Sequence, residues 1–361
     1  MLKTQLKTLT GNLIGHKDGF GFLRPDDGSD DIFVPNREML KAMHGDKVCI
    51  KVILGDKKKR PEAQITEVIK HAQLTLVGRV VYERGMYIVV PEDNRIKHDI
   101  VIPSADLGNA QPEQIVTVEI TDPPTRDTPP IGNIIEVIGG VDEPGIEIEI
   151  AVRKFGIPSQ FSFDVLEKAK KISLKVSSRD LKNRVDLRDV DFITIDGEDA
   201  KDFDDAVYAE KIQRKGWRLL VAIADVSGYV KSGDEVDREA FRRTTSVYFP
   251  RKVVPMLPES LSNGICSLKP NVERLCLVCD MVISKIGKVS AYQFYEAVIC
   301  SSARLTYKQA WQIITNPENH EKIVSDEVLS NLLCLYKMLD KLSDSRSSRG
   351  AINFETTETE I

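Results

Sequence analysis

At 361 residues with 42% hydrophobic side chains, the chain is too long for one ordinary domain and has apolar content for two or three cores. A net charge of −5 excludes an overall basic coat for nucleic acid, and no uninterrupted apolar run reaches membrane-spanning length, so a cytoplasmic protein with no membrane partner is expected. Six cysteines without a regular framework fit reduced thiols in that compartment.

The average charge hides a local asymmetry. Residues 1–80 carry 14 Lys+Arg against 10 Asp+Glu, with a basic run at Lys57, Lys58, Lys59 and Arg60, while the middle of the chain is acidic. Such a run is most often a solvated loop. Residues 1–70 read as short β-type runs separated by Gly, Asp and Pro turns, which predicts a small antiparallel barrel. The spacing of strands and turns repeats over 71–140, so a second barrel is expected, followed by a connector at 141–183 and a third domain over 184–361.

The third domain has α/β character, with strand candidates at DFITID, DDAVYAE, WRLLVAIADV and RLCLVCDMVI alternating with helical segments. One helix follows Ser232 and another starts after Thr306. A longer one runs from Ser325 to about Leu342, where Val328, Leu332, Leu335, Leu339 and Leu342 make one apolar stripe that reads as core packing. Cys276 and Cys279 form a CxxC, but an odd spacing on a strand sends the two sulfurs to opposite faces, which disfavours a zinc or redox pair. After Gly350 the segment AINFETTETEI reads as a strand.

Within the first barrel, KDGFGFL places Phe20 and Phe22 two apart, on one face of a strand. In DIFVP, Ile32 and Val34 are expected to point inward, which turns Phe33 outward beside them. Three outward rings next to Lys17 supply what single-stranded nucleic acid needs, although paired aromatics can also fill a small core. KDGFGFL followed by DIFVP resembles the two RNA-binding signatures of the cold-shock domain, an OB-type barrel, and that resemblance implies RNA stacking on Phe20, Phe22 and Phe33. The second barrel lacks this pair and offers only Tyr82 and Tyr87 as weaker candidates.

Seven acidic side chains crowd into the fifteen residues DGEDAKDFDDAVYAE, from Asp196 to Glu210. Carboxylates this close repel and raise one another's pKa, so a fold keeps them together where a cation or proton compensates. Asp196 ends a strand-like run, the turn GEDA brings the chain back, and Asp202 and Asp204 share a face if extended; Asp205 joins them if the backbone bends. A divalent-metal site and a solvated acidic loop are the competing explanations, while an EF-hand is excluded because the sixth position from Asp202 is Val207 rather than Gly.

TIDGEDAKDFDDAVY, with WRLLVAIADVSGYV, TSVYFPRKVVPMLPESLSNGICSLKPNVERLC and GAINFE, resembles the catalytic RNB domain of the RNase II/RNase R exoribonucleases, nearer to the bacterial RNase R branch, and tandem cold-shock barrels precede that domain in the family. The implied architecture is two OB-type barrels followed by the N-terminal part of an α/β RNB domain. The resemblance implies a magnesium-dependent hydrolytic 3′→5′ exoribonuclease that releases nucleoside monophosphates from single-stranded RNA, with ribosome or structured RNA as further partners and a monomeric state. The family's four active-site aspartates fall on Asp196, Asp202, Asp204 and Asp205. They would hold two Mg2+, or Mn2+, about 3.5 to 4 Å apart, with Asp204 the least replaceable. Tyr248 matches the aromatic that stacks near the RNA 3′ end. The family's domain continues past GAINFE with another stacking aromatic and a catalytic arginine. The alternative expectation is therefore a catalytically impaired RNA-binding fragment that acts through its barrels and leaves part of its core surface uncovered.

Overall fold

Strands β1 (Thr8–Gly15), β2 (Gly21–Pro25), β3 (Ile32–Val34), β4 (Lys47–Ile53) and β5 (Glu62–Lys70) close into a barrel in the order β1-β2-β3-β5-β4. The computed structural model describes residues 7–53, 61–72, 74–318 and 324–352; the basic run at 57–60 and all but the first two residues of the strand expected from Ala351 lie outside them. Alternation closes the barrel. Leu13, Leu23, Val34, Val48, Ile50 and Ile65 point inward and are buried, and a four-residue helix α1 (Asn36–Met39) caps the core with Met39.

A second closed barrel follows, with β6 (Thr75–Glu83), β7 (Met86–Pro91), β8 (Ile100–Ile102), β9 (Gln114–Asp122) and β10 (Ile131–Gly140) in the order β10-β8-β7-β6-β9. The two barrels are fastened to each other. Met43, just before β4, is buried in the core of the second barrel, and a Cβ on Gly15 would lie 2.3 Å from the Arg95 carbonyl oxygen. Between them, the buried Asp46 carboxylate accepts from the backbone N–H groups of Met43 and Ala72, each at 2.9 Å, so the linking chain is held by charge-assisted hydrogen bonds.

The chain divides into two compact units after Ile157, and the residues expected as a connector contribute one helix to each: α2 (Ile146–Lys154) packs Ile146 against Val77 and Ile115, and α3 (Phe163–Lys170) belongs to the second unit.

The second unit is built on a seven-stranded sheet of β11 (Val185–Leu187), β12 (Ile193–Asp196), β13 (Asp205–Ile212), β14 (Gly216–Ala224), β17 (Glu273–Ser284), β18 (Val289–Cys300) and β19 (Ala303–Thr306), ordered β11-β18-β17-β14-β13-β12-β19. Only the outer pairs β11–β18 and β12–β19 are parallel. The expected alternation of strand and helix therefore fails in the middle, where β12, β13 and β14 follow one another through short turns. The turn into β14 needs Gly216, whose φ is +127° and where an added Cβ would collide with the Ile283 carbonyl oxygen. A small hairpin of β15 (Val247–Phe249) and β16 (Lys252–Val254) stands apart from the sheet. It follows helix α4 (Glu235–Arg243), whose cap is Asp234 rather than Ser232.

One sheet face packs Phe192, Ala206, Leu220, Ala222, Cys276 and Val278 against Phe203 and Leu268. The other is covered by α5 (Tyr307–Thr315) and α6 (Asp326–Ser348) through Ile193, Leu305, Ile313, Val328 and Leu332. Thr306 and Gln309 form a capping box on α5, and the Ser325 side chain caps α6. Helix α6 extends six residues beyond the expected end. Its buried face drifts around the helix, so Met338 is buried where Leu339 is 53% exposed. Beyond the reach of α6 the same sheet face leaves Ile223, Leu277, Tyr292 and Phe294 exposed. Cys276 is buried and Cys279 only partly, on opposite faces of β17. No helix among the described residues is long and apolar enough to cross a membrane.

Candidate active site and aromatic surface

Asp196 is the last residue of β12 and Asp205 the first of β13, so the antiparallel pairing of these strands brings the two ends of the acidic loop together. Between Asp202 and Asp204 the chain buries Phe203, and the charges of Asp202 and Asp205 both act on the Asp204 carboxyl. The backbone holds this arrangement. Ser267 Oγ accepts from the Phe203 N–H at 3.0 Å and donates to the Lys201 carbonyl at 2.8 Å, Leu268 N–H donates to the Phe203 carbonyl at 2.8 Å, and Ala224 N–H donates to the Asp204 carbonyl at 2.9 Å.

The carboxylates themselves are short of partners. Asp196 Oδ2 is buried without a hydrogen bond. Burial, and then the charge of Asp205, pushes the Asp196 carboxyl above its usual range, with Arg304 pulling the other way. Asp204 reaches solvent, yet the protein around it thins the hydration shell; that desolvation lifts its carboxyl first, and Asp202 and Asp205 add to the effect. Tyr248, on the β15 hairpin with its side chain 65% exposed, donates its hydroxyl to Asp202 Oδ2 at 3.0 Å. Desolvation and then this bond raise its phenol pKa. Among the described residues, no three His, Cys, Asp or Glu side chains converge closely enough to hold a metal ion as they stand.

Two contributors were not legible in the sequence. Arg304, on β19, donates through Nη2 to the carbonyls of Gly197 at 2.7 Å and Glu198 at 2.8 Å, and its guanidinium lies 5.5 Å from the Phe203 ring centroid. Ser267 lies in a loop far along the chain. Their only signal is the pairing of β12 with β19 and the packing of that loop, both tertiary. Asp225, just after β14, is buried with Arg184 and accepts from Ser227 Oγ and the Gly228 N–H, which makes it an anchor for the turn that follows.

On the first barrel, Phe22 pairs across the sheet with Phe33, and the rings of Phe20, Phe22 and Phe33 lie 5.6 to 6.0 Å apart as one partly exposed cluster. Lys17 is exposed in the adjoining turn. The sequence reading missed His16, whose ring stacks on Phe20 at 4.3 Å and 15°. On the second barrel, Tyr82 and Tyr87 form a cross-strand pair 4.7 Å apart.

Three domain models match the chain in succession: a ribonuclease B OB domain over residues 11–68, a cold shock domain over 88–162 and an RNB domain over 184–361. The cold-shock model thus falls on the second barrel, while the first, which carries the aromatic cluster, is matched by the ribonuclease B OB model. The chain is 45% identical over 362 residues to ribonuclease R of Escherichia coli (strain K12), covering 100% of this chain and 44% of that protein. It spans about half the length of most of the curated relatives it matches. Ribonuclease R of Acidithiobacillus ferrooxidans is 40% identical over 351 residues, 97% of this chain and 80% of that relative. Mycoplasma genitalium RNase R, solved in complex with ribose methylated single-stranded RNA, superposes with a TM-score of 0.89 at 28% identity over 98% of this chain and 56% of that one. Yeast Ssd1, a pseudonuclease, shares the fold at a TM-score of 0.65 and 17% identity, covering 94% of this chain and 48% of its own. Two closed OB barrels, an RNB domain and this extent of identity together show that the chain belongs to the ribonuclease R family.

Proposed function

We propose that this chain acts in hydrolytic 3′→5′ degradation of single-stranded RNA to nucleoside monophosphates, with Asp196, Asp202, Asp204 and Asp205 as the reacting centre. The observation that carries the reading is the buried, unbonded Oδ2 of Asp196 at the mouth of the acidic loop, where burial and the neighbouring carboxylates lift Asp196 and Asp204. A set of hard oxygen donors left short of partners fits a divalent cation, Mg2+ or Mn2+, drawing the four side chains inward. When bound, such ions supply positive charge against the scissile phosphate and the departing 3′ oxygen. Buried Phe203 and the backbone bonds around it aim the carboxylates, and Tyr248 offers an exposed ring to the terminal nucleotide while its hydroxyl is tethered to Asp202. The partly exposed Phe20, Phe22 and Phe33 with Lys17 give RNA bases a stacking surface on the first barrel.

A second reading is an RNA-binding chain without turnover, acting through the aromatic cluster of the first barrel. Incubating the 361-residue chain with 5′-labelled single-stranded RNA in Mg2+ or EDTA, beside Asp204→Asn, decides between them. Metal-dependent shortening from the 3′ end that the variant lacks supports the first reading; binding without shortening supports the second.

A further inference from the structure

We infer that Ser267 is a positioning residue for the acidic loop: its buried hydroxyl ties the backbone on both sides of Asp202 and so fixes the direction in which Asp202 and Asp204 point. The inference rests on the reading of those carboxylates as metal-holding groups.

Ser267 is fully buried, more than sixty residues along the chain from the loop it touches. Its single oxygen does two jobs, donating to the Lys201 carbonyl at 2.8 Å and accepting from the Phe203 N–H at 3.0 Å. The residue between those two backbone groups is Asp202, and the next one out is Asp204. Neither bond reaches a carboxylate, so Ser267 fixes the chain that carries the acidic oxygens without occupying them. Ser267 is itself braced, because Arg274 donates through Nε to the Ser267 carbonyl at 2.8 Å and through Nη2 to the Gly264 carbonyl at 3.1 Å. Arg274 is buried and spends its donors on backbone oxygens. Support therefore runs from Arg274 through Ser267 to the loop, and Leu268 adds its N–H to the Phe203 carbonyl.

Alanine at 267 would leave the part-buried Lys201 carbonyl and the buried Phe203 N–H without this partner at once. The loop relieves that cost by rotating the peptides on either side of Asp202, which swings the carboxylates and loosens whatever they hold. Groups that orient ligands without touching metal typically account for 10- to 100-fold in metal affinity. Ser301 provides the comparison. It is equally buried and donates its hydroxyl to the Leu268 carbonyl at 2.9 Å, with no bond to the acidic loop.

The test is Mn2+ binding to the whole chain without RNA, by electron paramagnetic resonance, for the parent, Ser267→Ala, Ser301→Ala and Asp204→Asn. Ser267→Ala is expected to weaken binding about 10- to 100-fold, with Ser301→Ala within about twofold of the parent. Parent-like affinity in Ser267→Ala, or equal weakening in both serine variants, overturns the inference. Parent binding no tighter than that of Asp204→Asn removes the metal reading, and the inference with it. Amide exchange on the parent chain is a second check that needs no variant to fold. A slowly exchanging Phe203 N–H supports the tie to Ser267, and exchange at the rate of an open loop overturns it.

Discussion

The Tyr248 hydroxyl donates to Asp202 Oδ2 at 3.0 Å, which joins the exposed aromatic of the β15 hairpin to the acidic loop. Tyr248 and Asp202 lie 46 residues apart in the chain, and this bond holds the exposed ring beside the acidic loop. Tyr248→Ala removes ring and tether, and gel analysis of 5′-labelled RNA is expected to show a longer limit product. Tyr248→Phe keeps the ring, so its product length should stay that of the parent while turnover slows. Unchanged product length in Tyr248→Ala would show that another group grips the 3′ end.

Asp204→Asn is expected to abolish turnover and leave RNA affinity in EDTA unchanged, because it removes charge while keeping shape. A variant that still hydrolyses RNA at near-parent rate places the reacting centre elsewhere.

The raised carboxyls of Asp196 and Asp204 also bear on stability. A carboxyl with a folded pKa above its ordinary value near 3.8 binds protons more readily in the folded state than in the unfolded one. Its contribution to stability is therefore greatest in acid and falls as pH rises from about 3.8 through the raised value. In EDTA at neutral pH, Asp204→Asn is expected to melt at a higher temperature than the parent. Added Mg2+ should raise the parent's Tm more than the variant's. Calorimetry that finds the metal-free variant less stable than the parent would contradict this sign.

The aromatic cluster of the first barrel is testable apart from chemistry. Base stacking contributes about 1 to 3 kcal/mol per base, so replacing Phe20, Phe22 and Phe33 together by alanine should weaken single-stranded RNA binding in EDTA by at least about tenfold. Phe22 and Phe33 contact each other across β2 and β3, so the single variants are not expected to add. Affinity equal to the parent in filter binding would leave these rings with a packing role alone.

Tyr292 and Phe294, 68% and 70% exposed, stand with Ile223 and Leu277 on the part of the helix-bearing sheet face that α6 does not reach. An apolar row of this kind attracts hydrophobic dyes and other apolar surfaces. Tyr292→Ser with Phe294→Ser is expected to lower anilinonaphthalene sulfonate fluorescence without lowering the Tm. Undiminished fluorescence would place the dye-binding surface elsewhere.

Much of the fold was legible because it is written in local alternation. The inward and outward residues of KDGFGFL and DIFVP set the barrel face, and the cap residues Thr306 and Ser325 stand where α5 and α6 begin. The strand pairing of the second unit was less legible, since consecutive strands can pair directly or through a helix with the same local pattern. Leu339 shows the same limit within one helix: it fits the apolar stripe, but the neighbouring sheet selects Met338.

The sequence by itself determined which residue types are available to the site, the aspartates at 196, 202, 204 and 205, an aromatic at 248 and a small hydroxyl at 267, because chemistry depends on residue type. The tertiary structure alone decided where those groups are aimed. Phe203 is buried between Asp202 and Asp204, and Ser267 and Arg304 come from distant segments to hold the loop backbone. Such bonds depend on which strands and loops become neighbours, a property of packing that no local spacing encodes.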